Sequence, residues 1–148
     1  MFKKILFPTD FSNLSERALE FVIQLKNSGA EEVIVLHVID DKYFYFLDES
    51  TAINFEKFDN DLKKDATNKL TAVANKLYNH GFKVKVMIAR GAPVSEILKV
   101  EKEEDVSIIV LGSHGTSNLK EMFLGSVSES VIRKSPQPVL VVKRESHL

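Results

Sequence analysis

The residue types best suited to chemistry lie in one stretch, Gly112-Ser113-His114-Gly115-Thr116-Ser117-Asn118-Leu119-Lys120-Glu121-Met122-Phe123-Leu124-Gly125-Ser126-Val127. Gly112 and Gly115, with two residues between them, permit close backbone approach to a ligand and conformations closed to other residues. After nine further residues, Gly125-Ser126 opens a segment of helical pattern. The first N–H groups of such a helix lack intrahelical partners, its dipole end is positive, and the Ser126 hydroxyl adds a donor. A nest of main-chain amides binds phosphate without a lysine. The chemistry indicated is the holding of a phosphorylated ligand. His114 invites a catalytic reading, but no local carboxylate or hydroxyl is obviously arranged to orient it, so it reads as a loop side chain near the phosphates. Ser126, Ser128 and Ser130 recur at the helix start without the His-Asp context of a nucleophile.

Such a loop needs a strand before it and a helix after it, and the chain supplies both within a regular alternation. Lys4 to Phe7 is a short apolar strand ended by Pro8-Thr9-Asp10. Ser12 to Glu16 offers helix caps, with Asn13 and Glu16 at capping-box spacing, and Ala18, Leu19, Val22 and Ile23 follow at helical spacing until Ser28-Gly29. Val33 to Ile39 is β-branched and apolar on both faces, as a parallel sheet covered on both sides requires. Asp40 to Glu56 shows no clear period. Its aromatic run Tyr43 to Leu47 is read as a cover for the end of the sheet, with closure over a base or contact with another chain as alternatives. Phe58 to Leu77 carries an apolar helical stripe, with Asp59–Lys63 and Asp65–Lys69 as solvated pairs.

A third strand spans Phe82 to Ile88, with Lys83 and Lys85 facing away from Val84 and Val86. A helix over Val94 to Lys102 follows, its end at Glu101 to Asp105 read as solvated. Then come a buried strand over Val106 to Leu111, a helix over Ser126 to Lys134, and a last strand over Val139 to Val142. The order β-α-β-α-β-α-β-α-β predicts a five-stranded parallel, doubly wound sheet in a Rossmann-like α/β/α sandwich, with strand order 3-2-1-4-5. Its topological switch point falls between the first and fourth strands, so Asp10 and Gly112 are expected to face one crevice. At the sheet edge, Val139 to Val142 would leave an apolar ladder unpaired unless it met a twin across a two-fold axis.

Composition narrows the function classes. With 148 residues the chain suits one domain over 1–148, and 44% hydrophobic with 28% charged residues is ordinary for a globular protein. A formal net charge of -1, from 20 basic and 21 acidic residues, argues against a general nucleic-acid binder. The absence of cysteine excludes disulfides, Cys-ligated zinc and thiol catalysis. His37, His80, His114 and His147 are scattered, with no helical metal spacing, and His37 reads as a satisfied core or interface histidine. The apolar run at the start stops at Pro8 and later runs are too short for a membrane span, so the chain reads as cytoplasmic.

The spacing G-x2-G-x9-G-[ST] is the ATP-binding signature of the universal stress protein family, and the chain resembles that family along nearly its whole length. Pro8-Thr9-Asp10-Phe11-Ser12, Leu36-His37-Val38-Ile39-Asp40, Arg90-Gly91-Ala92-Pro93 and Pro138 to Val142 match in the same order. The resemblance implies that the main chain of Val38 pairs with adenine and that Pro8, Thr9 and Asp10 line base and ribose. It puts Gly112, Ser113, His114 and Gly115 beside the ribose and phosphates, with Thr116, Ser117 and Asn118 continuing that wall. Gly125, Ser126, Val127 and Ser128 hold the phosphate chain. Thr116 stands where close relatives often carry a basic residue, which weakens the expected grip on the terminal phosphate unless Lys120 substitutes. Magnesium would accompany ATP mainly through the phosphates, since only Asp10 among local carboxylates looks available. Relatives dimerise through the last strand, so a homodimer is implied.

The resulting expectation is an ATP-binding regulatory or stress-response dimer, with no catalytic or metal-ligating residue assigned. A slow ATP hydrolase or phosphotransfer protein is the alternative, with His114 as its weak candidate base. A receiver would need an acceptor aspartate where the chain has Ala89-Arg90-Gly91, and a flavin module a glycine-bearing loop where it has Pro8 to Phe11. Both are disfavoured.

Overall fold

The computed structural model describes residues 1–44, 52–114 and 125–145. Its strands are β1 (Lys4–Pro8), β2 (Glu32–Asp40), β3 (Lys83–Gly91), β4 (Ile108–Gly112) and β5 (Val139–Val142). Its helices are α1 (Asn13–Gln24), α2 (Ala52–Asn79), α3 (Pro93–Glu103) and α4 (Ser126–Lys134). All strand pairings are parallel, in the order β3-β2-β1-β4-β5 that the alternation predicts. The sheet divides the interior into two cores. On one face Ile5, Phe7, Val33 and Val35 meet Val22 of α1 with Leu70 and Leu77 of α2. On the other, Leu6, Ile34, Leu36 and Ile109 meet Ile97 and Val100 of α3 and Val131 of α4. Burial on both faces explains why the central strands read as continuous apolar runs.

Several details depart from expectation. The cap of α1 is Ser12, whose hydroxyl accepts from the Ser15 amide at 3.2 Å, rather than the Asn13–Glu16 pair. Helix α2 starts at Ala52, in the stretch without apolar period, because Phe55 and Phe58 have a partner in Phe44, with ring centroids 4.8 and 5.4 Å away. Phe44 thus covers one end of the molecule; Tyr45 to Leu47 lie outside the described residues. Val86 is 42% exposed, since β3 is a sheet edge whose outer strand is thinly covered. The end of α3 is not simply solvated. Glu101 is buried and accepts from the Ser135 hydroxyl at 2.6 Å, while Glu104 pairs with Lys85 and Lys4. The Lys85 ammonium holds the Glu104 carboxyl below its ordinary value of 4.5.

No helix among the described residues is long and apolar enough to cross a membrane. The two sheet edges differ in chemistry: β3 carries exposed Lys83 and Lys85, whereas β5 reads Val139-Leu140-Val141-Val142 without a charge. The bonds Ile109 N–H to Pro138 O and Ser113 N–H to Val142 O turn residues 138, 140 and 142 toward β4. Backbone groups alternate sides along a strand, so Val139 and Val141 present theirs outward.

Candidate functional site

At the carboxyl ends of the strands, where β1 and β4 diverge, the structure opens a cavity of about 430 Å³. Asp10 and Gly112 both line it, as the switch-point argument requires. So do Pro8, Thr9, Val38, His114, Gly125, Ser126, Val127 and Ser128. Of the remaining expected residues, Ser113 is buried behind the wall, and Gly115, Thr116, Ser117 and Asn118 lie outside the described residues, as does Lys120.

One end of the cavity is made by strand lengths. β1 stops at Pro8, paired with Leu36, and the Thr9 amide adds a bond to Leu36 O at 2.8 Å, while β2 runs on to Asp40 along β3. Leu36 therefore faces β1, and by the two-residue alternation Val38 turns its N–H and C=O to the same side. No described residue of β1 remains there to pair with them. An adjacent main-chain donor and acceptor thus face the cavity.

Beside this gap, His37 donates from Nδ1 to the Thr9 carbonyl at 2.8 Å. Its ring lies against Phe11 with centroids 4.5 Å apart, and the Lys69 ammonium sits 5.3 Å from the Phe11 ring centre. Phe11 has φ of 65°, an outlier for a bulky residue and a form of local strain found at functional sites. Thr9 and Asp10 support it, the Thr9 hydroxyl accepting from the Phe11 amide and the Asp10 carboxylate from the Ser12 amide and the Ser15 hydroxyl, at 3.1, 3.0 and 2.8 Å. Asp10 therefore commits one oxygen to the start of α1.

The other end belongs to the loop after β4. Glycine is needed at both limits, for different reasons. A Cβ on Gly112, which lines the cavity, would sit 3.0 Å from Leu14 Cγ of α1, so close packing against that helix also favours glycine here. A Cβ on Gly125 would sit 3.0 Å from the Ser113 carbonyl, to which the Gly125 amide donates at 2.6 Å. The Ser128 hydroxyl donates to the same carbonyl at 2.7 Å, so that hydroxyl is already used. Gly125 caps α4 without any side-chain hydrogen bond, and the first intrahelical bond is Glu129 N–H to Gly125 O. The amides of Ser126, Val127 and Ser128 have no partner among the described residues. His114 is also open. It is 6% exposed, and no described group meets its Nε2. Contrary to expectation a hydroxyl does orient it, Ser113 Oγ lying 2.7 Å from Nδ1.

Other lining residues were not expected. His37, which reads from its apolar strand as a satisfied core or interface histidine, reaches the cavity as β2 overshoots β1. Asp65 and Lys69, which form the expected 3.2 Å pair, also stand on the rim with Leu62 and Ala66 of α2. The helical stripe shared by Leu62, Ala66 and Lys69 was the available signal. Asp40 and Asp65 line the cavity too, so Asp10 is not its only carboxylate.

Known proteins resemble the chain in sequence and in fold. Residues 1–143 match the model of the Universal stress protein family. Universal stress protein MJ0577 of Methanocaldococcus jannaschii is 48% identical over 158 residues, covering 99% of this chain and 98% of the relative. Universal stress protein YxiE of Bacillus subtilis is 36% identical over 149 residues, covering 97% and 100%. The solved structure of MJ0577 superposes with a TM-score of 0.90 over 99% of both chains.

Proposed function

Since the chain belongs to the universal stress protein family, we propose that it is one domain over 1–148 that binds ATP in this crevice and acts as a nucleotide-responsive dimer in a stress response. The observation that carries the reading is the pair of open ends on one cavity. Val38 offers a donor beside an acceptor, the complement of adenine N1 and its amino group. About the phosphates, the amides of Ser126, Val127 and Ser128 and the His114 Nε2, which have no partner among the described residues, supply donors at a positive helix end. A volume of about 430 Å³ falls in the range of small-molecule sites. Gly115, Thr116, Ser117 and Asn118 belong to the proposed phosphate wall by their place in the motif.

No group of three or more His, Asp or Glu among the described residues could hold a metal ion, so magnesium would arrive with the phosphates, next to the free oxygen of Asp10. The need for ATP assigns the protein to the cytoplasm. Equilibrium dialysis against ATP and GTP tests the ligand. Guanine reverses the donor and acceptor order, so ATP is retained and GTP is not; no ATP bound at millimolar concentration removes the proposal.

The dimer is proposed through β5, whose outward Val139 and Val141 amides and carbonyls suit antiparallel pairing with a second copy. Val141→Pro deletes an outward N–H and spares the ladder to β4. Sedimentation should find a dimer in the parent chain and a folded monomer in the variant. Slow hydrolysis or phosphotransfer is the second reading, with His114, a lining residue, as its candidate base. It requires phosphate release that tracks protein concentration and disappears in His114→Ala.

A further inference from the structure

We infer that Ser113 is a positioning residue that fixes the neutral His114 ring with its proton on Nε2, so that the phosphate end of the cavity presents an N–H donor. Ser113 is 1% exposed and His114 6% exposed, and their side chains meet at 2.7 Å between Oγ and Nδ1. Ser113 Oγ has no other described partner, and Nε2 has none. Two arrangements of the neutral ring are open. If Nδ1 carries the proton and donates to Oγ, both the buried Ser113 O–H and the Nε2 lone pair go without partners. If the Ser113 O–H donates to Nδ1, only Nε2–H is left over, on a residue that lines the cavity. Buried polar groups left unpaired are costly, so the second arrangement prevails.

The same geometry says what the ring can do. A histidine with its proton on Nε2 donates to an unprotonated phosphate oxygen and cannot accept a proton from water at that nitrogen. It adds a side-chain donor to the amides of Ser126 and Val127 and withdraws the candidate base of the hydrolase reading. Ser113 contributes without touching the ligand: its hydroxyl is turned to His114, and its carbonyl is held by the Gly125 amide and the Ser128 hydroxyl. Replacing Ser113 with alanine keeps every main-chain bond, so the variant reports on the hydroxyl alone.

The inference rests on the ATP reading only for the identity of the ligand, and its first test needs no ligand. In the ligand-free wild type at pH 8, long-range proton–nitrogen correlation of the His114 ring should show a bare Nδ1 and a protonated Nε2. In Ser113→Ala the ring should become a mixture of tautomers. In competition binding, the ratio of ATP to adenosine affinity should fall about tenfold in the variant, the value of one hydrogen bond to a charged group. A wild-type ring protonated on Nδ1, a ring unchanged by Ser113→Ala, or ATP and adenosine weakened in step would each overturn the proposal. If the wild type bound no ATP, the nucleotide reading would fall while the tautomer measurement still decided the role of Ser113.

Discussion

Among the helix starts that line the crevice, those of α1 and α4 are built in opposite ways. At α1 side chains close the donors next to the cavity onto the protein: Ser12 takes the Ser15 amide, Asp10 the Ser12 amide and the Ser15 hydroxyl, and Thr9 the Phe11 amide. At α4 a glycine caps the helix with no side chain, and three amides and a buried imidazole nitrogen are left open among the described residues. The first start is therefore a piece of structure that a ligand can lean on. The second offers donors that a ligand could take up. Substitutions should separate the two, those at α1 acting on stability and those at α4 on affinity.

The largest effect should come from Gly125→Val. A branched side chain cannot fit 3.0 Å from the Ser113 carbonyl, so the α4 start moves and ATP binding weakens about a hundredfold, or ~2.7 kcal/mol; calorimetric titration reads the loss, and unchanged affinity breaks the comparison. Next, Asp10→Ala strands the Ser12 amide and the Ser15 hydroxyl and should lower unfolding stability by about 1–3 kcal/mol in urea. A loss confined to ATP affinity would instead make α1 a ligand-binding wall.

Ser126→Pro sharpens the contrast. Proline is tolerated at the first helical position, so one open amide disappears while the helix persists. Affinity should drop about tenfold, by ~1.4 kcal/mol, with the melting temperature unchanged. The smallest effect lies outside both walls, at Glu104. Its carboxyl is held below the ordinary value by Lys85 and then Lys4, so its stabilising contribution is present at neutral pH and is lost as pH falls through that lowered value. Glu104→Gln should lower stability at neutral pH by under about 1 kcal/mol. The gap to the parent should close in acid, with ATP affinity untouched throughout.

Most of the fold was legible because it rests on local pattern. Apolar runs such as Val33 to Ile39, separated by helical periods, leave few ways to cover both faces of a sheet. The loop motif, likewise, is a matter of glycine spacing. What could not be read depends on distance in the chain. Glu101 looks like a surface residue until Ser135, 34 positions away, reaches it. His37 looks like a core or interface residue until β1 is seen to end short of it. Gly112 and Gly125 look alike, yet one yields to Leu14 and the other to the Ser113 carbonyl. The orientation of His114 by its own neighbour escaped because adjacency in sequence does not say which way two side chains turn.

The unequal lengths of β1 and β2 carry a last consequence. If the base is read by the main-chain N–H and C=O of Val38, the preference for adenine over guanine is stored in where a strand stops and not in any side chain. Ordinary mutation at that position leaves the reading frame of donor and acceptor intact, and only proline erases it. Lengthening β1 by two residues would silence it instead, by handing Val38 a neighbour of its own kind.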